Sequence, residues 1–280
     1  MILGILAKKI ELIIKYIIIA LVQGIAEILP ISSSGHMIIT QHVLGIESAD
    51  LSLEIFLHFA SLIALVFFFR KKLWAIIKDF FIYLFKKEES AKNNYRLAWY
   101  IVIATIPAGI AGIFLKDVIE KNLTAMWIVG VLLIVTSALL YLSTKAKREK
   151  ELKDMTWTNA LSIGLFQCLG LLPGISRSGS TLVGGASQKV KQQDAADFAF
   201  ILAIPVMLGS AILSIGDISD ALKNTDLFLP YVIGFIVTLF TTYFTIKLFF
   251  SFIKKRKMSL FSIYCLIMGV LVIVLDLTII

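Results

Sequence analysis

The side chains best suited to chemistry sit in two short segments of similar spelling. Residues 23–35 read QGIAEILPISSSG and residues 167–179 read QCLGLLPGISRSG, each with a proline in mid-segment and a shared Ile-Ser-x-Ser-Gly ending. The first supplies Glu27, Ser32, Ser33, Ser34 and, one position on, His36; the second supplies Ser176, Arg177, Ser178, Ser180 and Thr181. Gln23 and Glu27 lie four apart and share a face if helical, so with Glu27 ionised they could hold a hard divalent cation through oxygen ligands and water. Arg177 can grip phosphate oxygens in bidentate fashion. His36 can pass a proton near neutral pH, and a serine hydroxyl beside it can be activated as a nucleophile. A helix that restarts after each serine-rich tip also presents free N–H groups to an anion. These are the parts of phosphoryl transfer: anion donors, a metal bridge, an attacking group and a proton carrier.

Plainer readings compete. A Ser-Ser-Ser-Gly run also makes an ordinary loop and helix cap, and Glu27 with Arg177 could be a structural ion pair tying the two segments together. Both charges sit in apolar surroundings, where isolated ones are expensive. His42 reads as an interfacial residue. His58 lies inside an apolar run, where a polar group needs a partner or a role.

The elements that must position these residues cross a bilayer. Of 280 residues, 59% are hydrophobic and 16% charged, with a mean hydropathy of +0.91; a soluble chain carries roughly 45–50% apolar and about 25% charged residues. Uninterrupted apolar stretches long enough to span cover 51–69, 95–115, 123–143, 196–215, 227–253 and 260–280, each near the roughly 20 residues that a span needs. The chain therefore reads as an all-α polytopic membrane protein, with residues 1–280 forming one integral membrane domain. Residues 73–85 are too short to cross unaided and carry Lys78 and Asp79, which predicts an amphipathic helix lying along the surface. Cys168 and Cys265 lie in separate apolar segments, which argues against a disulfide framework or a zinc site.

Charge sets the orientation. Residues 70–96 hold eight basic against three acidic side chains, 145–154 hold five against three, and 254–257 are all basic; the positive-inside rule puts these connections in the cytoplasm. Residues 116–121 balance to zero, and 216–226 hold three aspartates against Lys223. The net charge of +8 is thus topology and attraction to anionic headgroups, and no nucleic-acid partner is expected. Residues 155–193 must leave the cytoplasmic side and return to it. Residues 10–45 could do the same from outside, although Lys8 and Lys9 favour a full first span. Two hairpins entering from opposite sides make an inverted-topology repeat, with halves of approximately 1–143 and 150–280 and a site where the broken helices meet near the midplane. Proline and glycine at the tips are tolerated there only if buried in protein or lining a watery cavity.

With these residues in view, the chain resembles the undecaprenyl-diphosphatase, or bacitracin-resistance, family over nearly its whole length. QGIAEILPISSSGH at 23–36 is similar to that family's [Glu/Gln]-x-x-x-Glu segment followed by Pro-x-Ser-Ser-[Ser/Thr]-Gly-His, and PGISRSGST at 173–181 to its Pro-Gly-x-Ser-Arg-Ser-Gly-x-Thr. The resemblance implies six spans with two inward re-entrant hairpins in a bacterial plasma membrane, and hydrolysis of undecaprenyl diphosphate to the monophosphate carrier reused in peptidoglycan synthesis. It implies a polyisoprenyl diphosphate lipid as substrate, a divalent cation such as Mg2+ or Ca2+, and a site opening to the outer face; a homodimer is compatible with it. Carried over by position, Glu27 and Gln23 handle metal and phosphate, Ser33 is the nucleophile or its positioner, and His36 is the acid-base group. Arg177 is the phosphate clamp, with Ser32, Ser34, Ser176, Ser178 and Thr181 as hydroxyl donors. Gln23 stands where many relatives have Glu, and an amide cannot carry the charge that binds a cation. His58-Phe59-Ala60-Ser61 and Asp197-Phe198-Ala199-Phe200 also depart from the family's patterns. A transporter or flippase with an anion site at the same tips is the rival reading.

Overall fold

The computed structural model describes residues 2–46, 51–216, 225–255 and 257–279. The described residues form helices α1 (Ile2–Ala26), α2 (Ser33–Val43), α3 (Leu51–Lys86), α4 (Lys92–Asn122), α5 (Met126–Thr144), α6 (Trp157–Leu169), α7 (Arg177–Ser187), α8 (Gln192–Leu213), α9 (Thr225–Lys254) and α10 (Ser259–Ile279). Six of them, α3, α4, α5, α8, α9 and α10, contain stretches long and apolar enough to cross a bilayer, and these coincide with the six predicted spans. Their outward faces are apolar, as at Phe114, Ile212, Phe244 and Leu277, which suits a lipid solvent. Most of the acidic connection 216–226 lies outside the described residues.

One expectation fails. Residues 73–85 are not a separate surface helix; they continue α3 without a break to Lys86, 36 residues in all. No glycine or proline interrupts 51–86, so nothing stops the helix, which at 1.5 Å per residue runs about 54 Å against a hydrocarbon core of about 30 Å. The far portion is held by Phe80 stacked on Tyr95 at 5.2 Å, Asn94 Nδ2 donating to Asp79 at 2.6 Å, and Lys72 paired with Asp197 of α8 at 2.7 Å. Where the chain leaves the α5 end, Glu151 takes Lys191 and Lys153 at 2.7 and 2.9 Å. These two ammonium groups hold its carboxyl down to about 2.

The two motif segments are the two places where a helix stops, turns and restarts. α1 ends at Ala26, and Pro30, which has no N–H to donate, lies in the turn before α2. α6 ends at Leu169, and Pro173 and Gly174 lie in the turn before α7. Each restarting helix is capped by a serine from the motif: Ser32 Oγ accepts from Gly35 N at 3.2 Å, and Ser176 Oγ from Gly179 N at 3.0 Å.

The turns meet tip to tip. Ser32, held at φ 73°, also accepts from Gly174 N of the other turn at 3.1 Å. A Cβ on Gly35 would come within 3.0 Å of Gly174 Cα, and one on Gly179 within 3.4 Å of Pro30. Thr136 of α5 braces the second turn, donating to Gly174 O at 2.8 Å and accepting from Ser176 N at 3.3 Å.

Around the tips, α1 packs on α9, α6 on α4, α3 on α8, and α5 on α10. Glycines permit the closest of these approaches, as small residues do between helices in lipid. A Cβ on Gly130 of α5 would lie 2.8 Å from Gly269 O, and one on Gly269 of α10 2.6 Å from Gly130 O. Gly174 adds a backbone demand to a steric one, because its φ is +102° and a Cβ there would sit 2.6 Å from Val129 O. Gly174→Ala should therefore destabilise the protein by about 1–3 kcal/mol, read as a lower melting temperature in detergent. Gly209→Ala, with nothing within 4 Å of the added carbon, should leave it unchanged or slightly raised.

Candidate active site

Glu27 lies one residue past the end of α1, its side chain only 3% exposed, and gathers donors from four places. Gln23 Nε2, one turn back, donates to Oε2 at 3.0 Å. Ser33 Oγ, opening α2, donates to the same oxygen at 2.7 Å. His58 Nε2 of α3 faces it at 3.0 Å, and Arg177 Nη2, the first residue of α7, donates to Oε1. The tip-to-tip packing is what brings Arg177 to Glu27, 150 positions away in sequence.

His58 is the residue that sequence reasoning left undecided. Its Nδ1 lies 2.9 Å from the Glu54 carbonyl, which can only accept, so Nδ1 carries a hydrogen. With Glu27 ionised, Nε2 must carry one too, and the ring is then an imidazolium. The signal was available as a histidine inside an apolar span; its partner was not, because His58 and Glu27 come from different helices.

His36 takes a different place from the one its motif suggested. Nδ1 donates to Ser32 O at 2.8 Å, and Nε2 lies 2.8 Å from the Tyr264 hydroxyl of α10, with the two rings stacked at 5.6 Å. Both nitrogens are engaged, and neither is bonded to Ser33, whose proton points at Glu27. Tyr264 was missed for the same reason as the His58 contact: only the fold brings it near.

The remaining motif hydroxyls are divided between capping and lining. Ser34 Oγ lies 3.4 Å from Ser32 Oγ, and Ser176 Oγ lies 3.2 Å from Ser178 Oγ. Ser178 reaches back to Leu29 O at 3.4 Å, and Thr181 donates to the Arg177 and Ser178 carbonyls, both at 3.0 Å. Glu27, Arg177, Ser178 and Thr181 form the polar wall of a cavity of about 10 Å³ closed on the other side by Leu65, Phe200 and Ala203. That is room for about one water.

A divalent cation held by Gln23 and Glu27, as the sequence suggested, does not fit this arrangement. Gln23, Ser33 and the His58 ring already crowd Oε2, and the Arg177 guanidinium holds Oε1, so each carboxylate oxygen faces a cationic group where a metal ion would have to sit. Among the described residues no group of three or more His, Cys, Asp or Glu side chains is placed to share a metal ion.

Because one carboxylate is the counter-charge to both Arg177 and His58 in a largely apolar setting, Glu27→Ala should cost about 3–5 kcal/mol of stability. Glu27→Leu combined with Arg177→Met should recover much of that, measured as thermal unfolding in detergent; equal losses in both would mean that the charges are solvated.

The chain is similar to known proteins over nearly its whole length. The family described as bacitracin resistance protein BacA matches residues 16–271. Undecaprenyl-diphosphatase 1 of Bacillus cereus is 40% identical over 262 residues, covering 94% of this chain and 97% of that protein. Undecaprenyl-diphosphatase 2 of Bacillus thuringiensis is also 40% identical with the same coverage. The undecaprenyl-diphosphatase of Oceanobacillus iheyensis is 38% identical over 264 residues, 94% of this chain and 96% of its own. The match takes in both helix breaks and reaches into all six apolar spans, and the chain belongs to the bacitracin resistance protein BacA family.

Proposed function

We propose that this chain hydrolyses undecaprenyl diphosphate to undecaprenyl phosphate and inorganic phosphate, returning the lipid carrier to peptidoglycan synthesis and so supporting bacitracin resistance. Near full-length identity of 36–40% to proteins named undecaprenyl-diphosphatase supports the substrate. The observation that carries the chemistry is the Ser33–Glu27 hydrogen bond with Arg177 on the opposite carboxylate oxygen: a nucleophile, its proton acceptor and an anion clamp within one contact shell. A transporter needs only the clamp.

In this reading the terminal phosphate of the substrate displaces the carboxylate from Arg177, which turns its fork onto the phosphate oxygens. Ser33 Oγ attacks the terminal phosphorus, its proton passing to Glu27. The bond from that phosphorus to the bridging oxygen breaks and undecaprenyl phosphate leaves; the His58 imidazolium is the nearest group able to protonate or screen the leaving oxygen. His58, having given its proton to the leaving oxygen, takes the one held by Glu27; the freed carboxylate then deprotonates a water, whose attack releases phosphate from Ser33 as Glu27 returns the proton to the Ser33 oxygen. The N–H groups opening α7 and the Ser176, Ser178 and Thr181 hydroxyls supply further donors to the equatorial oxygens. His36, held by Ser32 and Tyr264, shapes the α2 end and stands ready as a proton relay.

We further place the protein in the bacterial inner membrane with the site opening outward. His58 sits about two turns into α3 from the end remote from the basic stretch 70–96, and that stretch belongs in the cytoplasm. The inverted repeat is supported by the packing: exchanging α1, α3 and α5 with α6, α8 and α10, and α4 with α9, maps the pairs α1–α9 and α6–α4 onto each other and α3–α8 and α5–α10 onto themselves.

Phosphate release from undecaprenyl diphosphate by the purified protein tests the reading. Arg177→Lys should fall by about 100-fold or more, because a point charge loses the bidentate grip. Tyr264→Phe should fall by only about tenfold or less, since it removes a bond to His36 rather than a contact to phosphate. Near-normal turnover in Arg177→Lys would sink the clamp, and no release from a folded wild type would move the same tips to the transporter reading.

A further inference from the structure

The charge around Glu27 says how a divalent cation reaches this site. One carboxylate faces a guanidinium and, with both ring nitrogens on acceptors, an imidazolium; the cluster carries a net positive charge before any metal arrives. Three donors converge on Glu27 Oε2 and the guanidinium holds Oε1. The buried oxygen left over in the cluster is Gln23 Oε1, a neutral amide oxygen with no hydrogen-bond partner among the described residues. Gln23 itself is fully buried, so it cannot swing out to recruit water or another ligand. A hard cation at this centre would meet Arg177 beside Oε1 and His58 beside Oε2 at close range, in surroundings that screen poorly.

Resting on the phosphatase reading above, we propose that the protein holds no resident divalent cation, that the ion enters only as the counter-ion of the substrate's diphosphate, and that Gln23 is the residue responsible. A carboxylate at position 23 would add a second anion beside Glu27, bring the cluster to neutrality and offer two more oxygens where the unpartnered amide oxygen now sits. A diphosphate has the opposite relation to the site as it stands: its negative charge complements the Arg177–His58 pair, and its oxygens can carry the cation in with them. The cation is then part of the substrate, and the protein binds its anionic envelope.

Equilibrium dialysis of radioactive Mn2+ against the full-length protein in detergent measures this without turnover, so it stands apart from any failure of the phosphatase assay. Wild type alone should retain no stoichiometric Mn2+ below about 1 mM, the weak end of oxygen-ligated sites. Wild type with methylenediphosphonate should retain about one ion per chain, and Gln23→Glu should retain one without it, at an affinity at least about tenfold higher, the change that one such contact supplies. One Mn2+ per wild-type chain in the absence of diphosphonate, lost in Glu27→Gln, would overturn the proposal. So would failure of the diphosphonate to bring Mn2+ to the wild type, and a folded Gln23→Glu that binds no better would overturn the part assigned to Gln23. Should Gln23→Glu not fold, the two wild-type measurements decide between resident and substrate-borne metal by themselves.

Discussion

A carboxylate buried in an apolar bundle has to be neutralised where it stands, and much of this structure follows from how Glu27 meets that demand. Its partners come from α1, α2, α3 and α7, so the charge is satisfied only when both broken helices and the first long span are in place together. The bundle cannot slide or reorder these elements without stranding Arg177 or His58 in a medium where each would be costly. The ion cluster acts as a register pin, and the register it fixes is the one that puts the Ser33 hydroxyl on Glu27.

The pin works because backbones can approach closely around it. Ser32 bonds across to Gly174, and the cross-tip contacts are between Gly35 and Gly174 and between Gly179 and Pro30. Larger residues at these points would hold the turns apart and leave Arg177 short of the carboxylate. The same use of small residues recurs at Gly130 and Gly269, so lipid-embedded packing and site assembly draw on one device. The tip-to-tip arrangement also explains why two nearly matching segments carry different chemistry. The copies diverge where the charged groups stand: Glu27 aligns with the apolar Leu171, and Arg177 with the hydroxyl of Ser33.

Much of this was legible in the sequence. The six spans follow from apolar length, and the helix breaks from Pro30, Pro173 and Gly174. Glu27 and Arg177 stand out as charges in apolar surroundings, and their pairing follows from the internal likeness of the two segments. What was not legible depends on contacts between distant helices or on continuity. Residues 73–85 looked like a separate surface helix because Lys71, Lys72, Lys78 and Asp79 interrupt the apolar run; yet charges do not stop a helix, and Asp197 gives Lys72 a partner that local sequence could not reveal. His58 and Tyr264 lie on helices other than those of Glu27 and His36, so their meeting with these partners needed three-dimensional placement. The pairing of His36 with Ser33 rested on their closeness in the chain. On the restarting helix α2, residues 33 and 36 are three apart, but the two side chains reach for different partners.

The cavity beside the cluster carries the argument one step further. At about 10 Å³ it cannot admit a phosphate, so the arrangement seen here is the resting one, in which Glu27 occupies Arg177 as a stand-in anion. Under the proposed mechanism, substrate binding is an exchange of one anion for another on the same guanidinium, and little new charge has to be desolvated when it happens. The exchange also frees the carboxylate. While Arg177 and His58 both hold it, Glu27 is a poor proton acceptor; once Arg177 has turned to phosphate, the carboxylate keeps Ser33 as its donor with one cation fewer against it. Under the proposed mechanism Ser33 becomes reactive only when phosphate is already in the clamp, which ties bond breaking to the arrival of the correct anion and keeps a buried nucleophile quiet until then.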